Sequence, residues 1–306
     1  MASFSPRVFK GHVSLYLLFA SVMVGLSLLF AACGGGGTSS SVATPTAKAS
    51  IAAPKDLITA GTLTVGSDTT YPPQEYVDPA SGDAVGFDVD LITAMAQRMG
   101  LKTVVKKANF DTIIDDLNAK RYDVVISAIT INPQRQQKAE LVPYFNAGQS
   151  LLVEKGNPEK ISSVEDLCGK TVGVQDGTVE LDTLNATNKD CHAKGKPAIK
   201  MTVLTDQTEV IQLLVNKRVM ATFQDSPVTD YYLKQNAAQF EVAGSIIKQA
   251  LEGIAVRKGD TSMLNAIQAS LQAVKADGTY NSLFTKWQLN PVQKVTVIDR
   301  RDVSFA

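Results

Sequence analysis

Histidine and cysteine are scarce in this chain, two of the first and three of the second in 306 residues. That leaves little material for a multi-metal site, and neither a metal nor another cofactor is expected. Net charge is missing too, with thirty lysines and arginines against thirty aspartates and glutamates. Without a basic excess or a basic run, no nucleic-acid partner is expected. What the chain does have is 44% hydrophobic and 20% charged residues, a globular balance that excludes wholesale disorder. Its length suits two domains of ordinary size or one large one.

The first thirty-odd residues are a different material. Arg7 and Lys10 form a basic head, and the run Val13–Ala32 that follows carries no charge. The run is long enough to span a bilayer, so a membrane helix and an export signal compete. It ends in Leu29-Phe30-Ala31-Ala32-Cys33, which resembles the lipobox of bacterial lipoproteins. The resemblance implies a signal peptide over 1–32, with Cys33 lipidated as the new N-terminus. Gly34–Gly37 and a Ser/Thr/Ala stretch then read as part of a flexible tether over 33–55. On either reading the rest of the chain lies outside the cytoplasm, and the lipoprotein reading anchors it to the cell membrane. Two cysteines, Cys168 and Cys191, remain in an oxidising setting, so a disulfide is expected. His192 beside Cys191 is a poor zinc set and is not read as a metal site.

From Asp56 onward the pattern is α/β. Leu63-Thr64-Val65 reads as a strand. Gly86-Phe87-Asp88 opens a helix with Val89, Ile92, Ala96 and Met99 on one face, stopped by Gly100. Val104-Val105 is a second strand, and Phe110–Ala119 a second helix striped by Ile113, Ile114 and Leu117. The bare apolar run Val124-Val125-Ile126 suits a strand covered on both faces. The rhythm restarts at Thr171–Val174 and continues through Ile199–Leu204, Val210–Val215 and Val219–Phe223. Strand–helix alternation predicts mainly parallel pairing, and two sheets with their own helices are the economical reading.

Several strand ends suit a small ion. Asn132 can cap a helix with Pro133 in its first position, which puts Arg135 in the first turn. A helix N-terminus plus a guanidinium makes a carboxylate site, although arginine there opposes the helix dipole. Gln175-Asp176-Gly177-Thr178 is another strand end leading into a helix. In Gln224-Asp225-Ser226-Pro227, Ser226 reads as the cap and Pro227 as the first helical residue. Open α/β sheets bind ligands at such places. Taken singly, each also reads as an ordinary helix cap.

Taken in order, Gly66-Ser67-Asp68-Thr69-Thr70-Tyr71-Pro72-Pro73, Gly86-Phe87-Asp88-Val89-Asp90-Leu91, Ala128-Ile129-Thr130 with Arg135, Gly177-Thr178, Gln224-Asp225 and Gly278-Thr279-Tyr280 with Trp287 resemble the extracytoplasmic amino-acid-binding proteins (family 3 solute-binding proteins) of ABC importers. The resemblance spans about residues 56–290. It implies a two-lobed periplasmic-binding-protein-like type II fold, with two mixed sheets joined by a two-strand hinge and closing on ligand. Lobe one would comprise 56–147 and 252–290, lobe two 148–251, with a C-terminal extension over 291–306. The partners it implies are a free amino acid and the membrane subunits of an ABC permease, and it implies no enzymatic activity.

The same resemblance assigns a site. Arg135 would hold the ligand carboxylate, helped by the amides of Thr130, Gly177 and Thr178. Asp225 would take the ammonium together with the Ala128 carbonyl and the Thr130 hydroxyl. Tyr71 and Phe110 would flank the side chain, and Asp68, Gln175 and Gln224 would line the far end. A zwitterion is costly to desolvate, so both of its charges need opposite partners. Asp68 beside two aromatics favours a basic side chain first, a polar uncharged one second and an acidic one last. Two departures stand out: Gln74 replaces a frequent phenylalanine and suggests a polar or exposed wall, and Ala128 replaces a frequent glycine, a harmless change if only its carbonyl matters. Val295-Thr296-Val297-Ile298 alternates as an added strand would. A dehydratase-type enzyme on the same scaffold and a ligand-sensing receptor subunit are the alternative readings.

Overall fold

The computed structural model describes residues 50–295. The expected signal segment, Cys33, the tether up to residue 49 and the tail strand past Val295 lie outside these residues.

In chain order the elements are β1 (Thr62–Ser67), β2 (Thr70–Tyr71), β3 (Glu75–Val77), β4 (Ala84–Val85), α1 (Phe87–Arg98) and β5 (Lys102–Lys107). A 3-10 turn at Phe110–Thr112 leads into α2 (Ile113–Asn118), followed by β6 (Val124–Val125), α3 (Pro133–Lys138) and β7 (Ala139–Glu154). Then come β8 (Thr171–Gln175), α4 (Val179–Ala193), β9 (Lys200–Leu204), α5 (Gln207–Val215), β10 (Ala221–Asp225), α6 (Ser226–Gln235) and β11 (Phe240–Arg257). The chain returns through α7 (Thr261–Ala276) and α8 (Thr279–Lys286).

Both long strands decide the architecture. β7 has 16 residues and β11 has 18, so each reaches roughly 50 Å at about 3.3 Å per residue. They pair antiparallel along most of that length. At one end β11 pairs with β6, and at the other β7 pairs with β10. The sheet order is therefore β5-β1-β6-β11-β7-β10-β8-β9, with β2-β3-β4 as a small separate sheet. The two sheets expected from the sequence are linked into one ladder because the crossing strands are long enough to pair in both. Register shifts between Ala243 and Gly253 interrupt the ladder where the strands cross, and such bulges bend a strand pair.

Each end has its own core. Leu63, Phe87, Leu91, Met95 and Phe284 belong to one, and Leu151, Val172, Val174, Leu184 and Phe223 to the other. The apolar face of α1 is Phe87, Leu91, Ile92 and Met95, with Ala96 and Met99 beside it, whereas Val89 is only half-buried. The helix begins at Phe87, and the i, i+4 set counted from there, not from Val89, turns inward. The described part of the C-terminal tail is tied down. Lys294 bridges to Phe145 of β7, and the Val295 amide donates to the Tyr280 hydroxyl at 3.1 Å.

Cys168 and Cys191 form a disulfide, joining the loop before β8 to the last turn of α4. Their Cα atoms are 5.8 Å apart across a sequence separation of 23. Closing a loop of this size stabilises by about 3 kcal/mol through the unfolded chain. Cys168→Ser and Cys191→Ser are each expected to lose about that amount in denaturant unfolding, and the double variant no more. Additive losses would show that the two sulfurs act independently.

Candidate functional site

The cleft side of the sheet is where strand ends meet helix starts. In α3, Asn132 caps the helix by accepting from the Arg135 amide at 2.8 Å, and Pro133 occupies the first turn. This leaves the Arg135 side chain in the cleft. Its Nη1 donates to the Thr130 carbonyl at 2.9 Å and its Nη2 to the Gly177 carbonyl at 3.1 Å. The guanidinium also lies 5.2 Å from the centre of the Phe110 ring, a cation–π distance. Burial pulls the Arg135 pKa down, opposed by the charges of Glu180, Asp225 and Asp182.

Across the cleft, Asp225 ends β10. The Tyr71 hydroxyl donates to its Oδ2 at 2.9 Å, and the Asp225 amide donates back to the Tyr71 oxygen at 3.1 Å. Tyr71 follows β1 closely in the chain, whereas Asp225 stands 154 residues later. Burial pushes the Asp225 carboxyl up to about 6, restrained by the Tyr71 bond and by Arg135. Asp225 is itself the residue before α6, so Ser226 and Pro227 are its first two helical residues and the expected Ser226 cap moves back by one. The carboxylate is taken by Tyr71 and caps no helix amide.

The expected ligand contacts other than Asp68, Gly177 and Gln224 line one small pocket, completed by Val179 and Glu180. Thr178 caps α4, its Oγ1 accepting from the Leu181 amide at 3.2 Å and donating to the Gln175 carbonyl at 2.8 Å. Ala128 holds φ +43°, so the replacement of glycine is not neutral, because an L side chain disfavours this region. The three exceptions have distinct causes. Gln224 and Asp225 are neighbours on a strand and face opposite ways; Gln224 donates to Thr229 Oγ1 at 2.6 Å, behind β10. The Gly177 amide is taken by Asp176 Oδ1 at 2.8 Å, so Gly177 offers its carbonyl to Arg135 and no donor to a ligand.

Asp68 stands behind Gln175. Its Oδ2 accepts from Gln175 Nε2 and its Oδ1 from Thr70 Oγ1, while burial pushes its carboxyl up to about 6. Gln175 Nε2 also donates to the Thr205 carbonyl at 2.8 Å. With both amide protons engaged, Gln175 Oε1 is left buried without a partner. Asp68 thus orients the glutamine that lines the cavity. Gln74, expected in a polar or exposed wall, is fully buried and donates to Glu252 Oε2 at 2.6 Å.

Sequence reasoning missed Glu180. An acid in the first turn of a helix reads as an ordinary dipole partner, and no further signal marks this one. It is 1% exposed, and its Oε1 has no partner. Burial and the neighbouring Asp225 charge drive its carboxyl well above the usual range. With Glu180 keeping its proton beside Asp225, the two acids carry about one negative charge between them.

Residues 63–290 match the family described as bacterial extracellular solute-binding proteins, family 3. The L-cystine-binding protein TcyJ of Escherichia coli (strain K12) is 31% identical, over 74% of this chain and 82% of its own. The lysine/arginine/ornithine-binding periplasmic protein of the same strain is 33% identical, over 74% and 87%. Among solved structures, an ancestral arginine-binding protein bound to arginine superposes with a TM-score of 0.69 at 38% identity, covering 74% of this chain and 98% of that one. The match over most of the chain, on a two-lobed frame with these residues gathered in its cleft, means that the chain belongs to the family 3 bacterial extracellular solute-binding proteins.

Proposed function

We propose that this protein captures a free amino acid between its two lobes outside the cytoplasm and delivers it to the membrane subunits of an ABC permease. Lobe one comprises 56–147 with 252–290 and lobe two 148–251, with the hinge where β7 and β11 cross. The export and lipid-anchoring reading of residues 1–33 belongs to the same proposal. The relatives support the ligand class, since their names record binding of cystine, of lysine, arginine and ornithine, and of arginine.

Within the site, Arg135 takes the ligand carboxylate and Asp225 the ammonium, the latter aided by the Ala128 carbonyl and the Thr130 hydroxyl. Thr178 stands beside the carboxylate, and Tyr71 and Phe110 flank the side chain. One observation carries the choice of ligand. The cavity's buried polar atoms without partners, Gln175 Oε1 and Glu180 Oε1, are both acceptors. Leaving buried acceptors unpaired costs about 1–3 kcal/mol each, so a side chain rich in N–H donors gains most. The charges agree, because Glu180 can give up its proton and ionise when a second cation enters beside it. Basic amino acids are therefore preferred, polar amides come second, and acidic ones are excluded by repulsion. Gln175 and Glu180 carry this discrimination, with Asp68 supporting Gln175 from behind.

Two variants check this reading by calorimetric titration. Glu180→Gln is expected to cost arginine about 1.5–3 kcal/mol, as a charge-assisted contact becomes neutral. Glutamine should lose less than about 1 kcal/mol. Equal losses would remove Glu180 from ligand selection. Gly177→Ala tests closure. Gly177 has φ +71°, and a Cβ there would stand 2.6 Å from Asp111 Cα across the cleft. A Cβ at that distance opposes the approach of the two segments, so affinity should fall by about tenfold or more, the equivalent of about 1.4 kcal/mol. Small-angle scattering with arginine should then show a more open shape than wild type. Wild-type affinity in this variant would mean that the lobes bind ligand without meeting at Gly177.

A further inference from the structure

Beneath the ligand loop lies a second group of carboxyls that the proposed contacts do not use. Glu75, Asp88 and Glu252 come from β3, α1 and β11 and are each at most 1% exposed. Each holds a different residue of the segment 127–130. Ser127 Oγ donates to Glu75 Oε1 at 2.8 Å and accepts from the Asp68 amide at 2.9 Å. The Ala128 amide divides its proton between Asp88 Oδ2 and the Tyr144 oxygen, each at 3.2 Å. Tyr144 in turn donates its hydroxyl proton to Asp88 Oδ2. Thr130 forms an antiparallel backbone bridge with Glu252, whose side chain is held by Gln74.

Ala128 is the member under strain. At φ +43° an alanine is disfavoured against the ordinary helical region by roughly 5- to 30-fold in population. Glycine pays no such penalty. Something must hold the alanine there, and its amide bond to Asp88 and Tyr144 acts directly on that residue. Among the described residues nothing donates to the Ala128 carbonyl, and Ala128 lines the cavity.

We propose that Asp88, acting with Tyr144, is a positioning residue for ligand binding: it clamps Ala128 in the left-handed conformation that presents the Ala128 carbonyl to the ligand ammonium. This rests on the functional reading given above, in which that carbonyl is a ligand contact. Asp88 never touches the ligand and acts through the backbone. The neighbouring acids suit it to the task. Burial pushes Glu75 and Glu252 well above the carboxylate range, so they keep their protons. Asp88 rises to about 7, restrained by the bonds from Tyr144, Glu75 and the Ala128 amide, and is the acceptor of the group.

The test is a cycle in the full-length chain in detergent, with arginine as the titrant. Asp88→Asn is expected to weaken arginine binding about tenfold or more when residue 128 is alanine. In the Ala128→Gly background the same change should cost at least threefold less, because glycine reaches the left-handed region without a clamp. A general structural role for Asp88 gives the same loss in both backgrounds, and that result overturns the proposal, as does an unchanged affinity in Asp88→Asn. Hydrogen exchange at the Ala128 amide supplies a readout without ligand and should quicken in Asp88→Asn. If Asp88→Asn does not fold, Tyr144→Phe, which removes the shared hydroxyl, takes its place in the cycle with the same expected pattern. Failure of wild type to bind arginine, lysine or glutamine would overturn the functional reading itself. The exchange rate then decides the clamp alone, and an unchanged rate refutes it.

Discussion

A half-buried guanidinium has to find part of its compensation inside the protein, and much of this cleft is arranged around Arg135 on that account. Burial of a charge is expensive unless it is paired and hydrogen-bonded. Arg135 is met by carbonyls from its own loop and from the Gly177 turn, by the Phe110 ring and by the field of three acids, Glu180, Asp225 and Asp182. Those partners arrive on separate segments. Thr130 precedes α3, Gly177 follows β8, and Asp225 ends β10. The fold's task is to bring strand ends from both cores to one place, and the crossing of β7 and β11 does this. In the proposed mode, an amino acid carrying both charges would complete a set drawn from both lobes.

Much of this was legible because it rests on local rules. Asn132-Pro133 with Arg135 two residues on is a cap signature, and the structure puts each residue where that signature implies. Thr178 was similarly readable as a helix start. The family's ordered motifs located the other cavity residues. What failed was whatever depended on direction or depth. Gln224 reads from the sequence as lining the far end of the pocket, yet it adjoins Asp225 on a strand and adjacent strand residues face opposite sides. Asp68 looked like a wall and is a support for Gln175. Glu180 was hidden because an acidic first turn is ordinary in any helix, and only its burial distinguishes it. Gln74 reads as part of a polar or exposed wall, and it is buried and reaches Glu252, 178 residues further along. No spacing rule announces such a partner.

The acids of this protein fall into two tiers. Asp225 and Glu180 face the cavity, whereas Glu75, Asp88 and Glu252 stand behind the loop that carries Ala128 and Thr130. Both tiers contain more carboxyls than can be ionised together at such burial, so both retain protons near neutral pH. Behind the loop the proton economy fixes backbone geometry. In the cavity it sets the charge that an incoming ligand meets.

Proton release on binding tests this arrangement most directly. The Glu180 carboxyl lies well above the carboxylate range, and a cation entering beside it lowers that pKa, so a proton leaves. In the proposed site Asp225, near 6, would pair with the ammonium of any amino acid and contribute equally to all of them. Arginine and glutamine titrated at about pH 7 in buffers of different ionisation enthalpy give the proton count for each. Arginine is expected to release a measurable fraction of a proton more than glutamine. Equal counts for the two ligands would contradict a cavity whose surplus acid is reserved for a cationic side chain.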